Sequence, residues 1–227
     1  MEDTLLTSQG QTNTIWNQNA HHSILQQLNL LSIAMPPELR DWTKMAETYD
    51  NLTNSVRIAM VGKYVGFTDS YLSVVKALLH ACVACSLKPS IDWIAASDLE
   101  DDSAKLTPEA HAAAWETLKE VFPGISTICC TITRSMWMNG IGIDMRLVVN
   151  PDVIGILEEA GLKFVGKDDS GRRMEILELP SHPFYVGVQF HPEFKSRPGK
   201  PSALFLGLIL AATGQLETYL DQHPNTS

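Results

Sequence analysis

His191, Pro192 and Glu193 are the residues of this chain whose types and spacing suit acid–base chemistry. An imidazole titrates close to neutrality and takes up a proton at physiological pH. A carboxylate brought within reach by a tight turn fixes its tautomer and stabilises the imidazolium. Such a pair is the base and orienting half of a nucleophile, base and acid set, and it needs a thiol or hydroxyl to activate. A His two residues before a Glu is also what an ordinary polar turn contains, so the elements that carry the pair decide its weight.

The segment leading to the pair is Phe184-Tyr185-Val186-Gly187-Val188-Gln189-Phe190, apolar, β-branched or aromatic except at Gly187 and Gln189. This reads as a strand covered on both faces of a parallel-type sheet. Pro192 cannot continue a strand ladder and holds His191 in extended geometry, so the imidazole is expected where the strand ends and the chain turns.

Other segments supply the frame. Val56 to Val61 reads as a short apolar strand, followed by Gly62 and Gly66 as turn residues. A helix with Leu72, Val75, Leu78 and Leu79 on its apolar face comes next, capped by Thr68 or Asp69. Ser90 to Ala95 reads as a second strand, and Thr107-Pro108 opens a helix to Lys119 with Thr107 as cap. Strand, helix, strand order implies an α/β fold with a largely parallel sheet, and Lys63 and Tyr64 at a strand's carboxyl end would face a partner domain, a substrate or solvent. Asn150 or Asp152 caps a helix closed by Gly161. Leu162 to Val165 and Met174 to Leu179 then form a hairpin around Asp168 to Gly171, with Arg172 and Arg173 as exposed hairpin charges or, alternatively, anion contacts. Lys195, Arg197 and Lys200 form a basic loop, solvated or facing an acidic partner, and Leu204 to Ala212 a final apolar helix. Ahead of all this, Met1 to Ala20 is polar, and Ser23 to Ile33 and Glu38 to Tyr49 keep helical spacing on either side of Pro36-Pro37.

Composition narrows the class. The chain has 227 residues, 44% of them hydrophobic, a net charge of −9 and a pI near 5.2. That is enough for one core of moderate size and argues against a general nucleic-acid binder or a membrane-surface protein. Cys82, Cys85, Cys129 and Cys130 form no paired metal-ligand set and fit packed, reduced thiols. The acidic run Asp98 to Asp102 reads as a solvated loop. No apolar run approaches the ~20 residues of a membrane span. No glycine-rich phosphate loop with Lys-Ser or Lys-Thr occurs, since Val61-Gly62-Lys63-Tyr64 lacks the preceding glycine.

The segment VGVQFHPEF resembles the class I glutamine amidotransferases, whose catalytic His and Glu lie in a Q-F-H-P-E stretch. Ser55 to Ala81 (SVRIAMVGKYVGFTDSYLSVVKALLHA) and Gly166 to Leu216, with its SRPGKPS, are similar to the glutaminase domain of CTP synthase. The similarity covers about Val56 to Lys119 and Val149 to Leu216, and it makes a gamma-glutamyl hydrolase the weaker match. It implies a truncated class I glutamine amidotransferase (flavodoxin-like) sheet with flanking helices over residues 55–219. Residues 1–54 would be a linker-like segment with a disordered N-terminus, and 220–227 a tail. The function implied is hydrolysis of glutamine to supply ammonia for the ATP-dependent amination of UTP to CTP. His191 would be the base and Glu193 its orienter. Glutamine, UTP and ATP are the substrates so implied, with ATP and magnesium used by the full enzyme and no cofactor held in this chain. A cytoplasmic location and either a homo-oligomer or association with full-length CTP synthase follow from the same resemblance.

The centre of the domain departs from the family. After Ala114-Trp115-Glu116-Thr117-Leu118-Lys119 the family continues to a P-G-G-F-G oxyanion loop and then to G-I-C-L-G-M-Q, whose cysteine is the nucleophile. Neither occurs here, and Cys129 and Cys130 lack the glycine that permits a sharp nucleophile turn. Under one choice of codons, the family's stretch K-Y-V-D-E-R-H-R-H-R-Y-E-V read one base out of frame gives Arg134 to Leu147. The single-codon residues Met136, Trp137, Met138 and Met145 are all included. Thr131 to Leu147, and from Ile125 at the widest, therefore reads as a frame-shifted translation beside a deletion, from a mis-spliced transcript or a wrong gene model. Residues 125–148 are expected to be poorly specified. Two functional readings follow: a glutaminase domain by descent that has lost its own turnover, and a non-catalytic fragment that binds full-length CTP synthase.

Overall fold

The computed structural model describes residues 18–35, 40–63, 65–66, 68–121, 127–132 and 149–224, with the side chains of Trp42, Thr68, Asp69, Val121 and residues 127–132 excepted. The chain divides into two compact units, Met1–Thr53 and Asn54–Ser227. The first holds α1 (Ala20–Gln27) and α2 (Arg40–Asp50). The helix expected over Ser23 to Ile33 thus starts and stops earlier. It follows Asn19 in left-handed geometry (φ 52°), and it leaves Ile24 and Leu28 exposed.

The second unit is built on β1 (Ser55–Gly62), which leads through a 3-10 turn at Thr68–Tyr71 into α3 (Leu72–Ala84). β2 (Lys88–Ala95) and β3 (Thr127–Ile132) flank β1 in a parallel sheet of order β2-β1-β3. Ile58 stands level with Ile91 on one side and with Ile128 on the other. Between β2 and β3 come α4 (Ser103–Leu106) and α5 (Pro108–Val121). Because side chains alternate along a strand, β1 feeds two cores. Val56, Ile58 and Met60 pack with Val74, Leu78 and Cys82 of α3 and with Phe205 and Ile209 further on. Ala59 and Val61 pack the other way, against Ile94, Ala114 and Leu118. Full burial of an aliphatic side chain such as Ile58, Leu78 or Ile209 stabilises by about 1.5–3 kcal/mol.

After residue 148 the chain forms α6 (Pro151–Glu159), β4 (Lys163–Lys167), β5 (Met174–Glu178) and β6 (Val186–Val188), then α7 (Ala203–Ala212) and α8 (Leu216–Gln222). The Asn150 side chain accepts from the Asp152 amide and caps α6, and Gly161 follows with φ 100°, both as expected. β4, β5 and β6 form an antiparallel sheet whose core is Val149, Phe164, Met174 and Leu177 under Val153, Ile154 and Leu157. The α/β class expected from the sequence is the one observed.

Several local expectations are corrected. The strand before His191 was expected to be long, parallel and covered on both faces. β6 is three residues, antiparallel to β5 and half-buried, with Tyr185 and Phe190 exposed. An apolar run carries no information on strand direction, and here pairing to the β5 hairpin arm sets it. α3 starts at Leu72, and Tyr71 at its N-cap makes no side-chain cap bond, because a 3-10 turn takes up Thr68–Tyr71. Asp98, the first residue of the acidic run expected to be a loop, lies in a 3-10 turn, Ala96–Leu99, and the Thr107 hydroxyl donates back to the Ser103 carbonyl. Leu216–Gln222 forms a helix that runs past the expected start of the tail at residue 220. Of the segment 125–148, Thr127–Ile132 is a strand by its backbone, and the remainder lies outside the described residues. Leu39, Tyr64 and the side chains of Thr68, Asp69, Cys129 and Cys130 lie outside them as well.

Candidate functional site

β6 continues its ladder for one residue beyond its last assigned position, the Gln189 amide donating to the Glu175 carbonyl. Pro192 cannot donate, and the chain leaves the sheet at His191 (φ −101°, ψ 88°) into a 3-10 turn, Pro192–Lys195. The Phe194 amide donates to the His191 carbonyl and the Ser196 amide to that of Glu193, which closes the turn. These bonds bring the Glu193 carboxylate back beneath the imidazole, with Nδ1 and Oε1 2.9 Å apart. The side chains differ in exposure, 59% for His191 and 8% for Glu193. An ionised carboxylate only accepts, so Nδ1 carries a proton in this contact, and in the neutral ring Nε2 keeps its lone pair. The ring stacks on Phe194 with centroids 5.2 Å apart. This is the geometry of an oriented base presented at the surface.

The inner side of the same turn faces α3. Ser73, Lys76, Ala77 and His80, spaced to share one stripe of that helix, line a cleft of about 400 Å³ with Glu193, Phe194, Ser196 and Arg197. His80 Nδ1 lies 3.0 Å from the Ser196 hydroxyl, which also accepts from the Ser202 amide. Ser196 is buried, so this bond ties α3 to the turn and to the start of α7. Burial, followed by the charges of Lys76 and Arg197, lowers the His80 pKa below the ordinary histidine value. Sequence reading did not single out His80 or Ser196. The signal available was the alignment of Ser73, Lys76 and His80 on one helix face.

The other candidate residues are placed as follows. Arg197 turns its Nη1 onto the carbonyls of Phe194 and Ser196, so it is structured, unlike the loop cation expected. Lys195 and Lys200 are exposed. The Lys63 amide donates to the Tyr71 hydroxyl at 3.0 Å. Arg172 and Arg173 donate their amides to Asp168, which organises the hairpin turn, and the Arg173 guanidinium pairs with Glu175. Cys82 and Cys85 are free thiols. Burial pushes their pKa up, to about 12 for Cys82 with a further contribution from Cys85, and to about 11 for Cys85. That is opposite to what a nucleophile requires. Among the described residues, no group of three or more His, Cys, Asp and Glu could hold a metal ion, and no helix is long and apolar enough to cross a membrane.

A family profile, glutamine amidotransferase class-I, matches residues 144–211 and so takes in the whole of the His191–Glu193 turn. The chain is 31% identical to CTP synthase 2 of Xenopus laevis, over 81% of this chain and 48% of that protein. It is 32% identical to human CTP synthase 1 over 81% and 47%, and 32% identical to the Dictyostelium discoideum CTP synthase over 88% and 54%. The chain belongs to the class I glutamine amidotransferases of the CTP synthase type. Its fold is similar to a solved Trypanosoma brucei CTP synthase glutaminase domain with bound acivicin (TM-score 0.50, 20% identity), over 71% of this chain and 95% of that one.

The chain spans about half the length of the CTP synthases it matches. The alignment with the Xenopus protein runs over 275 residues, more than 81% of a 227-residue chain can fill. This amidotransferase therefore lacks, within the matched span, a stretch that its relatives possess.

Proposed function

We propose that this chain retains the base half of a CTP synthase glutaminase site, with His191 as the base and Glu193 as its orienter, and does not itself hydrolyse glutamine. The reaction of the family so assigned is release of ammonia from glutamine for the ATP-dependent amination of UTP to CTP. The single observation behind the base assignment is the 2.9 Å contact between His191 Nδ1 and the nearly buried Glu193 carboxylate, with Nε2 left as the outward lone pair. Nucleophilic hydrolysis needs more: a thiolate within hydrogen-bond reach of Nε2, and backbone donors for the oxyanion. The motifs that carry both in the family are missing from the sequence, and the free thiols Cys82 and Cys85 are suppressed by burial. Amination of UTP would in turn require the part of the relatives that this chain does not span.

A glutaminase assay on the purified chain tests this directly. No ammonia release above buffer is expected, at any glutamine concentration. Ammonia release abolished by H191A would overturn the inactivity while leaving the base assignment standing. Release unaffected by H191A would remove both.

A second reading, a non-catalytic fragment that associates with full-length CTP synthase, is favoured by the exposed aromatics Tyr185, Phe190 and Phe194 around the His191 turn. Co-purification of the chain with an intact CTP synthase, lost in a Phe190→Ser, Phe194→Ser double variant, is the expected result. No association at micromolar concentrations would discard this reading.

A further inference from the structure

The cleft on the inner side of the His191–Glu193 turn has a charge pattern that the glutaminase reading does not use. Two permanent cations line it, Lys76 from α3 and Arg197 from the chain just after the turn. Among the described residues, no carboxylate lies within ion-pair distance of either. The Arg197 bonds to the Phe194 and Ser196 carbonyls fix its position without neutralising it. The one acidic side chain in the lining, Glu193, is engaged by His191. Burial first, then Lys76 and Arg197, keep His80 toward its neutral form, so two cations stand against the one carboxylate, Glu193, in the lining. Ser73 adds a hydroxyl on the same helix stripe.

We propose that this cleft binds a phosphate-type oxyanion, held by Lys76 and Arg197 with the Ser73 hydroxyl as a third donor. A guanidinium and an ammonium lining one concavity suit a tetrahedral oxyanion, since each supplies charge-assisted donors and the two outnumber the single carboxylate, Glu193, beside them. The volume of about 400 Å³ falls in the range of small-molecule sites and exceeds what a bare phosphate fills. Two sources share this chemistry, free inorganic phosphate and the phosphate monoester of a small molecule. Glu193 lines the cleft as well as holding His191, so occupancy would bear on how firmly the carboxylate holds the ring.

The test uses the full chain, labelled with nitrogen-15, in low-salt buffer. Inorganic phosphate and ribose 5-phosphate are titrated separately, with sodium chloride at matched ionic strength as control. Saturable resonance shifts at Ser73, Lys76, His80 and Arg197 are expected. K76M should weaken binding at least about fivefold, the scale of one partly screened ion pair, and K76R should retain it. Thermal unfolding provides a second readout: phosphate should raise the midpoint of the parent and of K76R but not of K76M. Tighter binding of the sugar phosphate would identify an ester ligand, and equal binding free phosphate. Shifts that follow chloride alone, or K76M binding as the parent does, would overturn the proposal.

Discussion

His191 and Glu193 share a turn yet face different environments, the imidazole exposed and the carboxylate at 8% exposure. Burying the carboxylate while exposing the imidazole keeps water from competing for the Nδ1 contact and leaves the Nε2 edge accessible. The expected consequence is a dominant Nδ1–H tautomer for the neutral ring. Nitrogen-15 to proton long-range couplings of the His191 ring should show it in the parent, and E193A should shift the ring to a tautomer mixture. Equal mixtures in both proteins would mean that the 2.9 Å contact does not orient the ring.

The route to this turn was legible where local chemistry decides the structure. Pro192 forces the exit from the strand, Asn150 caps α6, and the short apolar run Val56 to Val61 announces a strand. What the sequence did not reveal depends on tertiary pairing. Phe184 to Phe190 reads as a long covered strand, whereas only Val186–Val188 pairs, and in the antiparallel sense. His80 gains its role from Ser196, 116 residues away in the sequence, and no periodicity within α3 specifies that partner.

The thiols offer an independent check of packing. Cys82 is fully buried in the core beneath β1, and burial pushes its pKa up to about 12, with that of Cys85 about 11. At pH 8 neither is appreciably ionised in the folded chain. Ellman's reagent should therefore modify both slowly in buffer and rapidly in denaturant, with peptide mapping to follow the two sites. Fast native labelling of Cys82 would mean that the core between α3 and α7 opens readily.

Gly207 of α7 packs against Phe184, in the chain leading into β6. A Cβ on Gly207 would lie 2.8 Å from Phe184 Cε2, too near for ordinary van der Waals contact. The Phe184 ring would have to move and could carry the approach to β6 with it. G207A is expected to destabilise the second unit by about 1–3 kcal/mol, despite the better helix propensity of alanine. G207A combined with F184L should recover part of the loss, as measured by urea unfolding. A neutral or stabilising G207A would show that the contact is soft.

His80 predicts a pH dependence whose sign follows from its surroundings. Burial, then the charges of Lys76 and Arg197, lower its folded-state pKa below the ordinary 6.5, while Ser196 holds its Nδ1 and Glu193 is the one carboxylate lining the adjoining cleft. When a neutral imidazole is favoured by folding, the unfolded chain binds the proton first on acidification. Stability should therefore be full above pH 6.5, fall as the pH drops through that value, and level off below the lowered folded pKa. H80Q can keep a bond to Ser196 but does not titrate, so its melting temperature should fall less than the parent's between pH 7 and pH 5. The difference between the two curves isolates His80 from the six other histidines. Parallel curves would mean that the imidazole stays as accessible to protons in the folded chain as in the unfolded one. The tie between α3 and the His191 turn would then be looser than the 3.0 Å contact implies.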